Sequence, residues 1–332
     1  MLNWKSELEN LILYLPTLSY KNPLFEDDLH IHDQKINCKI NKQFLNIWKQ
    51  GPKKPLNKTN LSIALNILGH FFAKLSLNGK KKLITTQKKH KQDLVTNIDQ
   101  GIEALFRVWI HNNFDKDNII GEEGLNKNLN LKSNTWYIDP IDGTHNFVNN
   151  LKHYCLQIAY LNKNKEKICY LNAPLLNKTW STLDSPAEKI PTLPKQLNLG
   201  TEFLQHKIEE SKLLNLISST FNFKSHQIKS IGLNIMALTE NRIQVFYKRN
   251  AKIWDIIPPS VFIHHYFKNQ YIIKLLTKIK GKTESIPFLE NNEESLNHFK
   301  THSDNFRIGH LLILHPELQY LEKDLIQFLM ST

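Results

Sequence analysis

Cysteine, long apolar runs and acidic residues are all in short supply in this chain of 332 residues. The three cysteines, Cys38, Cys155 and Cys169, are odd in number and form no CxxC pair. That argues against a disulfide framework and against a zinc site, and a reducing cytoplasm is the expected setting. The longest apolar runs, such as residues 308–314 with Gly309 and His310 inside, fall far short of a membrane span. Met1-Leu2-Asn3-Trp4-Lys5 is soon followed by Glu7 and Glu9, which interrupts any signal-peptide core, so no secretion is expected. Against 43 Lys and Arg stand only 31 Asp and Glu, a net charge of +12. Such a balance raises nucleic acid, a membrane surface or acidic small substrates as partners. The densest basic run, Lys80-Lys81-Lys82 and then Lys88-Lys89-His90-Lys91, has no interleaved aromatics. It reads as a solvated face, or as a region that attracts an anionic substrate, and neither nucleic acid nor membrane is expected as a partner.

What is present is an ordinary folded composition, with 41% hydrophobic and 22% charged residues. The chain is long enough to bury a sizeable core. Residues 1–59 read as an N-terminal extension, rich in Lys, Asn and His, with one amphipathic segment ended by Pro16. After Gly51-Pro52 and Pro55, apolar residues from Leu61 to Leu75 recur at three- and four-residue steps. Asn60 is a candidate cap of that helix, and Gly79 lies just past its end. A second helix is predicted after Asp99, with Ile102, Leu105, Phe106 and Trp109 on one face. Strands are predicted around Trp136-Tyr137-Ile138 and over residues 154–160, 168–171 and 243–247. Further helices are expected at 208–216 and after Pro258-Pro259, where proline is tolerated in a first turn. A proline-rich stretch at Pro186, Pro191 and Pro194 divides residues 60–195 from residues 196–332. The pattern implies mixed α/β layers.

Four acidic segments carry the chemistry. They are Asp93-Leu94-Val95-Thr96-Asn97-Ile98-Asp99, Gly121-Glu122-Glu123-Gly124, Asp139-Pro140-Ile141-Asp142-Gly143-Thr144 and Trp254-Asp255. In the third, an apolar strand runs into Asp139, and a turn can bring Asp142 to the same side. Hard cations such as Mg²⁺ take oxygen ligands of this kind. Gly143-Thr144 can open a short helix whose free N–H groups suit a phosphate, and Gly143 permits close approach. Taken singly, these residues are equally well explained as turn formers, helix caps and solvated pairs. Their joint appearance carries the functional reading.

That combination resembles the inositol monophosphatase family of lithium-sensitive, metal-dependent phosphatases. The family's strand, D-P-[ILV]-D-G-T and Asn-Phe signature is met by residues 139–147, with His145 the unusual position. Its D-L-V-T-x-x-D and Gly-Glu-Glu segments stand upstream and its Trp-Asp downstream, in the family's order, across roughly residues 60–265. The resemblance implies an αβαβα layered sandwich of the inositol monophosphatase and fructose-1,6-bisphosphatase type. It further implies two or three Mg²⁺ per site, with inhibition by Li⁺. By position, Glu122, Asp139 and the carbonyl of Ile141 would hold one metal, and Asp139, Asp142 and Asp255 a second. Asp99 would assist a third ion and orient Thr144, which positions or deprotonates the attacking water. Asp142, Gly143, Thr144 and Lys248 would contact substrate, and Glu123 would lie just behind the ligands. The implied reaction is hydrolysis of a phosphomonoester on a small phosphorylated metabolite, by in-line attack of metal-activated water. Relatives are commonly dimers, so a homodimer is compatible with the resemblance.

Several departures bear on the substrate. Counting back seven residues from Asp255 gives Lys248, beside Arg249, where inositol-handling relatives often place Glu. A cation there favours a doubly anionic substrate such as 3′-phosphoadenosine 5′-phosphate, the substrate of a 3′(2′),5′-bisphosphate nucleotidase. Inositol monophosphate and that nucleotide therefore both stand as candidates, with fructose bisphosphate a third. The Gly-Ala-rich hairpin is missing between Tyr170 and Leu197, and Pro258-Pro259 replace small residues. Ser230-Ile231-Gly232 fits the family's Ser-x-Gly, but Leu233 follows where a small polar residue is usual. A non-catalytic descendant acting as a binding protein is the alternative of another class, and a basic nucleic-acid-binding protein ranks below it. Among fifteen histidines, His264-His265 has no spacing that pairs it with other ligands.

Overall fold

Helix α1 (Lys58–Gly79) and helix α2 (Asn97–Asn113) show how the local sequence sets the layers. The computed structural model describes residues 47, 57–79, 85–87, 94–124, 129–130, 132–163, 166–183, 189–201, 223–268, 270–279, 282–285 and 307–331. Asp93, the two lysine runs, the predicted 208–216 helix and nearly all of residues 1–59 lie outside these. In α1, Leu61, Ala64, Leu65, Leu68, Phe71, Phe72 and Leu75 are all buried, as their period requires. The helix starts earlier than predicted, because the side chain of Asn57, rather than that of Asn60, accepts the Asn60 N–H at 2.9 Å. Helix α2 likewise begins before Asp99. Thr96 caps it and Asp99 answers as the reciprocal acceptor of a capping box.

Both helices cover one face of a five-stranded sheet in the order β3 (Asn118–Gly121), β4 (Thr135–Asp142), β5 (Cys155–Leu161), β6 (Lys167–Ala173), β7 (Lys178–Ser181). The short strands β1 (Thr85–Gln87) and β2 (Leu94–Thr96) pair separately. Alternate residues of β4 enter different cores: Trp136 and Ile138 pack with α1 and α2, and Tyr137 packs on the opposite side. That second face meets helix α4 (Ile231–Thr239) and helix α5 (Ile253–Phe267), which the five-residue α3 (Thr144–Val148) precedes in sequence. Beyond them lies a six-stranded sheet, ordered β12 (Lys282–Ser285), β11 (Ile272–Ile279), β13 (Arg307–Leu314), β10 (Val245–Lys252), β8 (Leu197–Thr201), β9 (Phe223–His226). Its outer face carries Val245, Tyr247 and Leu312 against Leu325 of helix α6 (Glu322–Ser331). The layers therefore run α, β, α, β, α.

The predicted start of α5 at Pro258-Pro259 is corrected: the helix begins at Ile253 and both prolines lie inside it. They lack the N–H groups that would reach the carbonyls of Trp254 and Asp255 one turn back. The Asp255 carbonyl instead accepts from Gln157 Nε2 of β5 at 3.4 Å.

Trp109 anchors the first core. It is fully buried, donates Nε1–H to the Ile47 carbonyl at 2.9 Å and meets Trp136 edge-on at 5.9 Å. Trp109→Ala is expected to lower unfolding stability by about 3–5 kcal/mol, read as a fall in the denaturant midpoint. A loss under about 1 kcal/mol would show that the site collapses around the gap.

Candidate active site

Strand β4 delivers two of the candidate carboxylates through a break in its own pairing. Asp139 faces Gln157 on β5 and Asp142 faces Cys155, so three steps on one strand match two on the other. Residues three apart on a regular strand point to opposite faces, and the bulge cancels that alternation. Asp142 ends close enough to Asp139 for its charge to act on it. Strand β3 runs parallel to β4 with Gly121 opposite Ile138, which brings Glu122 to the same end. There Glu122 N–H donates to the Ile138 carbonyl at 3.3 Å.

The loop after Glu122 is held by a residue the sequence reading missed. Buried Glu103 of α2 accepts from the Glu123 and Gly124 N–H groups, both at 2.7 Å, and pairs with Arg107 at 2.7 Å. A side chain at Gly121 would lie 2.4 Å from the Glu103 carboxylate, so any larger residue there would push Glu103 aside. Asp255 arrives from the first turn of α5. Oxygens of Glu122, Asp139 and Asp255 all lie within 4.8 Å of one another.

Asp142 is bound differently. Ser230 Oγ donates to it at 2.6 Å, and the Ile231 and Gly232 N–H groups at 3.0 and 2.6 Å. The start of α4 thus clamps it, with the positive end of the helix dipole adding support. Gly143 has φ +91°, and a Cβ there would sit 3.0 Å from the carbonyls of His153 and Lys229. Thr144 Oγ1 lies 3.0 Å from the Ile141 carbonyl and 3.3 Å from Asp99 Oδ1. The other oxygen of Asp99 is taken by the Thr96 N–H and hydroxyl. His145 is exposed on α3. His264 and His265 pair with Lys167 and Lys58 and stand apart from the carboxylates in the residues they touch.

Burial and mutual repulsion dominate the electrostatics. Burial, then the charges of Glu122, Asp142 and Asp255, hold the Asp139 carboxyl well above the usual range. Burial pushes Asp255 up to about 8, with Glu122 adding to the shift and Lys252 and Lys248 opposing it. Asp99 is pushed up to about 7 by burial, against its bonds from Thr96. Asp142 is raised by burial, and its Ser230 and backbone donors pull it back. Crowded, buried carboxylates that resist ionisation form an oxygen-only donor set, and a hard divalent ion would relieve the repulsion. The residues present therefore fit a Mg²⁺-type cation.

Lys248 sits half-buried on β10, opposite Leu311. Two further site residues escaped the sequence reading. Gln157 donates to Asp139 Oδ2 at 3.3 Å, and Lys252 Nζ pairs with Glu122 at 2.7 Å. The period-two placement of Gln157 opposite Asp139 was a usable signal; for Lys252 the only signal was its place three residues before Asp255.

Known proteins resemble this chain in sequence and in fold. The chain is 29% identical over 203 residues to the Nus factor SuhB of Vibrio cholerae, covering 57% of this chain and 74% of that one. A staphylococcal inositol monophosphatase-1 structure superposes with a TM-score of 0.62 at 17% identity, over 83% of this chain and 96% of that one. A structure of an IMPase/NADP phosphatase complexed with Mg²⁺ and phosphate superposes at 0.58 and 17%, over 79% and 93%. The sequence model of the inositol monophosphatase family matches residues 55–265. The chain belongs to the inositol monophosphatase family.

Proposed function

We propose that the protein is a Mg²⁺-dependent phosphomonoesterase acting on a small phosphorylated metabolite. The observation that carries this reading is the gathering of oxygens from Glu122, Asp139 and Asp255 within 4.8 Å, the two aspartates buried and Glu122 partly so. Glu122, Asp139, Asp255 and the Ile141 carbonyl would hold the ion, with Asp142 beside them. When bound, such an ion acidifies water and offsets charge on the phosphoryl oxygens. Thr144 orients the water, because its hydroxyl is fixed between Asp99 and the Ile141 carbonyl. Asp99, with its carboxyl near 7, accepts the proton passed through that hydroxyl. Gly143, whose left-handed backbone turns the chain into α3, would lie against the phosphate, and Lys248 supplies a cation toward a second anionic group.

The test is phosphate release from inositol 1-phosphate, 3′-phosphoadenosine 5′-phosphate and fructose 1,6-bisphosphate, with and without Mg²⁺. Turnover that needs Mg²⁺ is expected, and Lys248→Glu should shift preference toward inositol 1-phosphate by about tenfold. Similarity to proteins named Nus factor SuhB favours a second reading, a binding protein that keeps the fold. Folded protein that binds Mg²⁺ yet turns over none of the three would support that second reading and overturn the first.

A further inference from the structure

The carboxylate cluster already contains a cation of its own. Lys252 Nζ lies 2.7 Å from Glu122 Oε1, with one fifth of its side chain exposed, and 5.5 Å from the Trp254 ring centroid. Its backbone is the extended residue that opens α5, so the ammonium is tethered three residues before Asp255. Its charge also acts on Asp255. Glu122 is one of the three groups whose oxygens converge within 4.8 Å. The ammonium thus pairs with a carboxylate that a divalent ion would need as a ligand.

We propose that Lys252 is a positioning residue that competes with the divalent ion for Glu122 and sets how tightly the ion is held. The inference rests on the metal-dependent reading above and deepens it. Without the ion, Lys252 offsets the charge of Glu122 and keeps it in place. When the ion binds, Lys252 must release Glu122, and the cost of breaking a short, partly buried pair weakens apparent affinity. The freed ammonium remains on the rim of the site, beside Trp254, where a phosphate dianion can take the place of Glu122 as its partner.

The test is Mn²⁺ and Mg²⁺ binding by calorimetry on metal-stripped full-length protein, with thermal melts alongside. Lys252→Met keeps length and removes charge. It should bind Mn²⁺ about tenfold tighter, with unchanged stoichiometry, while its metal-free melting temperature falls. A merely structural lysine would lower the melting temperature without tightening the ion. Lys252→Arg keeps the charge and should hold wild-type affinity, which guards against a folding defect in the Met variant. Affinity equal to or weaker than wild type in folded Lys252→Met overturns the proposal. Asp139→Asn separates the two ideas: if it leaves Mn²⁺ binding intact, the metal site itself is wrongly assigned. If it abolishes binding while Lys252→Met changes nothing, the metal reading stands and the role of Lys252 falls.

Discussion

Asp139→Asn is expected to lower phosphate release by roughly a thousandfold at saturating Mg²⁺ while leaving the fold intact. Asp139 is one of the three carboxylates that converge within 4.8 Å. It is 1% exposed, its Oδ1 accepts the Ile141 N–H at 3.0 Å, and its Oδ2 faces Gln157. An amide keeps the shape and one acceptor oxygen, so the Ile141 bond can survive. What it removes is the ability to become a charged ion ligand beside Glu122, Asp142 and Asp255. Two readouts should therefore separate. Activity collapses because an ion ligand is gone, while metal-free stability changes little, because the buried carboxyl is already held in its neutral form. Steady-state kinetics and a denaturant titration in chelator read the two separately. Activity within tenfold of wild type would remove Asp139 from the mechanism.

The metal-free protein should lose stability as pH rises from about 5 to 8, and Mg²⁺ should abolish that loss. Folded Asp99 holds its proton to about 7 and Asp255 to about 8, against an ordinary value of 3.8. The unfolded chain therefore releases these protons first. Folding binds protons across that interval, so their contribution to stability is complete below about 4 and is lost as pH climbs through 7 to 8. A divalent ion needs the carboxylates ionised and reverses the preference, so its stabilising effect should be largest at pH 8. Melting temperatures at pH 5 and pH 8, in chelator and in Mg²⁺, give four values. A chelator curve falling by several degrees and a flatter Mg²⁺ curve are expected. Asp255→Asn in chelator should flatten its own profile. Parallel curves with and without Mg²⁺ would count against the site.

Much of this was legible in the chain because the informative features are local. The strand running into Asp139 and the glycine at 143 announce themselves within ten residues, whereas the capping pair Thr96 and Asp99 moved the start of α2 ahead of its predicted place. The layer order followed from the resemblance, and the alternation in β4 and the period of α1 agree with it. What stayed hidden depends on tertiary partners. Glu103 looks like any helical Glu until the turn after β3 lands on it. Gln157 matters because Pro259 leaves the Asp255 carbonyl without a helical donor, and two prolines inside a helix defeat local boundary rules. Lys252 belongs to a strand end and pairs with a residue just past β3, a strand of the other sheet, which no periodicity records.

The distance in sequence between partners shapes how the chain must fold. Lys252 and Glu122 are 130 residues apart, Ser230 and Asp142 88, and Gln157 and Asp255 98. Each contact closes a long loop, and the entropy of that closure must be met before the contact returns anything. The first sheet, by contrast, is built mainly from neighbouring strands joined antiparallel in sequence order. A refolding chain can thus form β4 to β7 while Asp139 and Asp142 are still wet and apart from their partners. The pocket closes only when α4 and α5 dock. Cation capture then becomes a late event, and its rate a clock for the arrival of the C-terminal elements.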